Sequence, residues 1–196
     1  MKVALIYMAS GFGSRFGANK LLEDLDGRPM YRHGLDCLRQ VQADLEGRGW
    51  KVNLLVVSQY EEILKEAALL GAEAVYNGHS SQGITASIRI GTLAAGQDTQ
   101  LYAFCVADEP RLRQETVTGF LTGFEASGYG MGCVCAEGRR GNPAAFAKGY
   151  REELLALTGD KGGSQLMKRH PEDLWLYQAP WEELRDVDLP EDLKRI

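Results

Sequence analysis

Residues 2–20 read KVALIYMASGFGSRFGANK. Lys2–Met8 clusters strand-forming side chains, and no helical period starts until the glycines at 11, 13 and 17 have passed. A buried strand running into a glycine-rich loop is how α/β domains commonly open. Glycines let backbone N–H groups approach an anion closely, and Arg15 and Lys20 add charge that offsets a phosphate chain. The loop therefore has the composition of a triphosphate cradle. It is not the dinucleotide fingerprint, which needs a glycine where Phe16 stands. Nor is it a P-loop, because Lys20 follows Asn19 and precedes Leu21 rather than Ser or Thr. A lone Gly-x-Gly is more often a plain strand-to-helix turn; Arg15 and Lys20 at these offsets are what set this loop apart.

Outward from the loop, strands and helices alternate. Met30, Leu35, Leu38, Val41 and Leu45 recur at helical spacing and stop near Gly47 and Gly49. Strand-like segments are expected at 52–58, 73–76, 101–106 and 131–136, with helices over 61–70, 84–93 and 114–126 between them. Further helices are expected over 150–157 and 164–169, and short strands over 174–177 and 184–187. This alternation specifies a single α/β domain over residues 1–196, a mostly parallel twisted sheet between two helical layers. Right-handed crossovers then carry the strand-to-helix loops to one sheet edge, where ligands of open α/β folds bind.

Composition narrows the function classes. A net charge of −5 argues against a nucleic-acid surface, so positive charge for an anionic ligand must be local. No apolar run approaches the ~20 residues that cross a bilayer, and Met1 leads directly into a strand, which makes a cytoplasmic location the expectation. Cys37, Cys105, Cys133 and Cys135 lack paired C-x-x-C spacing and read as reduced, buried thiols, although Cys133 and Cys135 alternate along one strand. His33, His79 and His170 have no spacing that suggests a ligand set.

Asp108 stands just past the strand at 101–106, where a carboxylate can hold Mg²⁺; a turn aspartate before Pro110 is the simpler reading. Asp186 and Asp188 alternate around Val187 at the chain's far end. Arg139, Arg140 and Gly141 precede Asn142 and Pro143, a basic turn suited to a phosphorylated molecule.

The 8–20 stretch resembles the L-A-A-G-x-G-x-R-[FM]-G-x-x-K signature of nucleotidyltransferases related to molybdenum cofactor cytidylyltransferase. The similarity continues in order through SQGITASIRIG at 81–91, ADEP at 107–110, GNPAAF at 141–146, GDKG at 159–162 and DVDLPEDL at 186–193. It implies a Rossmann-like nucleotidyltransferase fold. It also implies Mg²⁺-dependent transfer of a nucleoside monophosphate, CMP from CTP favoured, onto a phosphorylated acceptor of the molybdopterin type.

By that resemblance, Lys20, Arg15 and Asp108 are catalytic, and Ala9, Ser10, Gly11, Gly13, Arg15, Lys20, Gly83 and Ser87 bind the nucleotide. Asp108 and Asp188 hold the metal, Arg140, Asn142 and Pro143 face the acceptor, and Arg89 is a further phosphate contact. A transient contact with a molybdenum enzyme is the implied partner, with no nucleic acid and no membrane. The signature has Ser10 where cytidylyltransferases usually carry Ala and the related guanylyltransferases Gly, a position near the nucleobase. A sugar-phosphate or methylerythritol-phosphate nucleotidyltransferase, and a non-catalytic nucleotide- or cofactor-binding accessory protein, are the alternatives.

Overall fold

The computed structural model describes residues 1–11, 19–187 and 192. Strand β1 (Lys2–Met8) leads to a short ribbon, β2 (Asp24–Leu25) with β3 (Arg28–Pro29), and then to α1 (Met30–Gly47). Next come β4 (Lys51–Ser58), α2 (Glu61–Leu69), β5 (Glu73–Tyr76), α3 (Ile84–Ala94), β6 (Leu101–Val106) and α4 (Gln114–Ser127). The chain continues through β7 (Met131–Ala136), β8 (Arg139–Ala147), α5 (Arg151–Leu155), α6 (Ser164–Arg169) and β9 (Leu174–Gln178). Seven strands form one sheet in the order β5-β4-β1-β6-β8-β7-β9. Only β8 runs antiparallel to its neighbours, so the sheet is mixed but mostly parallel, as the alternation predicts.

Period-two alternation in β1 feeds two cores. Val3, Leu5 and Tyr7 face the layer that holds Leu35, Leu38 and Val41 of α1, Ile63 of α2 and Phe120 of α4. Ala4, Ile6 and Met8 face the other layer, with Ile88 of α3, Leu154 of α5 and Leu166 of α6. Burying each such Leu, Ile or Phe contributes roughly 1.5–3 kcal/mol relative to exposure, so the sheet is anchored from both sides. Its C-terminal edge becomes a rigid platform.

Two expectations need correcting. Residues 139–147 form a strand, although an R-R-G-N-P run reads as a turn. The turn is two residues earlier, where Glu137 and Gly138 both adopt positive φ (49° and 77°) and close a tight β7–β8 hairpin. Residues 184–187 are not a strand: a 3-10 turn spans Trp181–Leu184, and Arg185 to Val187 pair in no ladder. Leu184 and Val187 are buried as core residues, and that burial is what mimics a strand pattern.

Candidate active site

The loop after β1 is fixed to the sheet edge from its first residue. The backbone N–H of Ala9 donates to the Val57 carbonyl at 2.8 Å, and Gln59 Nε2 donates to the Ser10 carbonyl at 2.9 Å. Tyr60 Oη donates to the Gly11 carbonyl at 2.8 Å. The Asn19 side chain caps the 3-10 turn Lys20–Leu22 by accepting the Leu21 N–H. This turn drives Lys20 inward until only 7% of the residue is exposed.

A buried ammonium needs partners to repay its lost hydration. Lys20 Nζ donates to Asp108 Oδ2 at 2.9 Å and to the Val187 carbonyl at 2.8 Å. The same junction is tied by the backbone, since Val187 N–H donates to the Asp108 carbonyl at 2.9 Å. Three distant segments, the ends of the first loop, of β6 and of the chain, therefore meet at one ion pair. Asp108 keeps about a third of its side chain exposed, with Lys20 holding one carboxylate oxygen.

Beside this pair lies a cavity of about 250 Å³ lined by Ser10, Gly11, Lys20, Gly83, Ser87 and Asp108, among others. Six residues named from the sequence are thus assembled around one space. Gly83 has φ of +80°, and a Cβ there would fall 1.9 Å from Asp160 Oδ1, so only glycine fits the approach. Asp160 uses that proximity to accept the Ile84 N–H at 3.3 Å, capping α3 from a distant loop. This gives the GDKG stretch a physical role that its residue types alone do not disclose.

A second cavity of about 190 Å³ shares Met8 and Ile84 with the first. Phe104, Phe146 and Met167 supply apolar walls, while Arg140, Asn142 and Lys161 supply polar groups. Arg140 and Asn142 arrive here through a register shift: Cys133 pairs with Ala144, but Cys135 pairs with Arg140, so β8 carries extra residues that leave the ladder. Glu109 lies beneath, 3% exposed, with Oε2 unpartnered. Its carboxyl is pushed well above the usual range by burial and by Asp186 and Asp108, against the hydrogen bonding of Asn142.

Not every expected residue lines these spaces. Ala9 is fully buried in the core, and Pro143 is buried outside the lining of the second cavity. Arg89 is exposed on the outer side of α3, in a groove with His79, Gln82 and Leu93, and does not line the first cavity. Gly13, Arg15 and Asp188 lie outside the described residues. Two lining or supporting residues, Asn77 and Lys161, are not evident from residue type: Asn77 carries no local signal, whereas Lys161 stands in the GDKG stretch.

All four cysteines are free and buried, and burial pushes the Cys37 and Cys133 thiols up to about 12 and about 11. Among the described residues, no cluster of three metal-ligating side chains occurs, and no helix is long and apolar enough to cross a membrane.

The end of β1, the Lys20–Asp108 ion pair at the sheet edge and two cavities with shared lining residues make up the candidate site. The model of the MobA-like NTP transferase domain matches residues 5–174, and the chain belongs to this nucleotidyltransferase family. Among solved structures, Rv0371c from Mycobacterium tuberculosis H37Rv superposes with a TM-score of 0.80 at 22% identity, over 98% of this chain and 95% of that one. A manganese complex of Rv0371c from the same organism gives 0.76 at 20% identity, over 100% and 97%. Molybdopterin-guanine dinucleotide biosynthesis protein A from Archaeoglobus fulgidus gives 0.71 at 18% identity, over 100% and 96%. Comparison with curated proteins yields no significant match.

Proposed function

We propose that the protein transfers CMP from CTP to a phosphorylated acceptor of the molybdopterin type, releasing pyrophosphate, with Mg²⁺ as its metal. The observation that carries this reading is the pair of cavities sharing Met8 and Ile84 in their linings, with Lys20 and Asp108 on the wall of the first. An oxygen of the acceptor phosphate attacks the α-phosphorus, the bond from that phosphorus to the bridging oxygen breaks, and pyrophosphate departs. The second pKa of a phosphate monoester is ~6, so the attacking oxygen is already unprotonated near pH 7 and needs no general base. This matches a site built from cations rather than histidines.

Lys20 is oriented by Asp108 and the Val187 carbonyl, and its positive charge offsets the charge that develops on the leaving pyrophosphate. Gly11 and Gly13 offer backbone donors, and Arg15 a second cation, to the same polyphosphate. Asp108 and Asp188 are the metal-holding pair. Asp108 has one oxygen not taken by Lys20, and Mg²⁺ needs only one or two carboxylates when waters and phosphates complete its shell. The bound ion would supply Lewis-acid polarisation of the α-phosphate. Arg140 and Lys161, with Asn142, bind the acceptor phosphate, and the Phe104, Phe146 and Met167 walls favour a flat heterocycle over a bare sugar. A non-catalytic carrier would have no need to bury an ammonium against a carboxylate at this edge.

The test is pyrophosphate release with CTP, Mg²⁺ and molybdopterin-type cofactor, compared with GTP and with sugar phosphates as acceptors. Release with CTP and the pterin supports the reading. Release only with a sugar phosphate overturns the acceptor, and no release with any pair overturns the enzyme.

A further inference from the structure

We infer that Asp160 is a positioning residue that ties the two cavities together, so that a nucleotide seated in the first steadies the loop that brings Lys161 to the second. The inference rests on the first cavity being the nucleotide site.

Helix α3 has no cap of its own. Gly83 stands at its N-cap position with no side chain to offer, which leaves the N–H of Ile84 without a partner inside the helix. Asp160, 76 residues further on, accepts that N–H through Oδ1. A second contact lies beside the first. Gly162 has φ of +53°, and a Cβ there would lie 3.1 Å from Ile84 Cγ2 and 3.4 Å from Ile88 Cδ1, so the loop backbone is pressed closely onto α3.

The loop is also braced within itself. Ser164 Oγ donates to the Lys161 carbonyl at 2.6 Å, and Gln165 Nε2 donates to the Thr158 carbonyl at 2.9 Å. Residues 158–165 thus form one piece, held on α3 at Asp160 and Gly162.

The two sides of this tie serve different spaces. Gly83 and Ile84 line the first cavity, whereas Lys161, Gly162, Gly163 and Ser164 line the second, and Ile84 belongs to both linings. A ligand in contact with Gly83 and Ile84 fixes the first turn of α3, and the Asp160 hydrogen bond passes that constraint to the residue next to Lys161. One hydrogen bond carries no more than its own net worth, which bounds the coupling at about 10-fold.

The experiment is amide hydrogen exchange read by mass spectrometry, on the native protein, Asp160→Ala and Asp160→Asn, with and without CTP and Mg²⁺, and with GTP in parallel. In the native protein, nucleotide is expected to slow exchange over 84–88 and, by about 3- to 10-fold, over 159–167. Asp160→Ala should keep the response at 84–88 and lose the one at 159–167. Asp160→Asn, whose Oδ1 still accepts the Ile84 N–H, should keep both. A purely structural role would weaken the two responses alike, and that result overturns the inference. A native protein protected at 84–88 and unchanged at 159–167 also overturns it, whether or not Asp160→Ala folds. No protection at 84–88 with either nucleotide overturns the nucleotide reading itself.

Discussion

The two cavities differ in how their charge is held. In the first, Lys20 is bonded to Asp108 and Val187, and Ser10 and Ser87 are bonded to Asn77. In the second, among the described residues, neither the Arg140 guanidinium nor the Lys161 ammonium has a carboxylate partner, and the walls are apolar. The difference teaches that the first space is preorganised, where catalysis needs donors fixed before charge develops. On the proposed reading, the cations of the second serve the acceptor phosphate.

The largest effects should therefore come from the first cavity. Asp108→Asn is expected to lower turnover on the order of 10²–10³-fold in a pyrophosphate-release assay, with folding intact by circular dichroism. Loss of activity without loss of fold separates chemistry from scaffolding. In the second cavity, Arg140→Ala or Lys161→Ala should raise the acceptor KM by roughly 10-fold while CTP affinity stays unchanged, the cost of one charge-assisted contact. A matching drop in CTP affinity would break the contrast between the two spaces.

Smaller effects concern the supports. Asp160→Ala removes the cap on α3 and should cost ~0.5–2 kcal/mol in urea unfolding. The smallest is a pH effect near the second cavity. Burial pushes the Cys133 thiol up to about 11, with Arg140 pulling it down. The unfolded chain ionises first, at an ordinary thiol value of ~8.5, so this contribution is complete below that pH and is lost as pH rises toward 11. Melting temperature measured from pH 8.5 to 10.5 should fall less steeply in Cys133→Ala than in the native protein.

Much of this layout is legible in the residues, for identifiable reasons. Lys2–Met8 and Leu101–Val106 carry the strand pattern strongly because they are buried from both faces, and Lys20 and Asp108 follow motifs tied to those strands. β8 is hidden because its first five residues, Arg139–Pro143, are turn formers that a register shift admits into a strand. Residues 184–187 mislead because core burial of Leu184 and Val187 imitates alternation without any ladder. Asn77 carries no local signature at all. Its meaning comes from contacts with residues 67 earlier and 10 later in the chain, which only the fold creates. Arg89 shows the opposite failure, since a residue inside a matched motif still sits on the outward side of its helix.

The central claim is that Asp108, paired with Lys20, is where a divalent ion and the nucleotide meet. Electron paramagnetic resonance of Mn²⁺ titrated into the protein with CTP tests it most directly. The account predicts a protein-bound Mn²⁺ signal that requires CTP and is lost in Asp108→Asn. A bound signal of native strength in Asp108→Asn would contradict it.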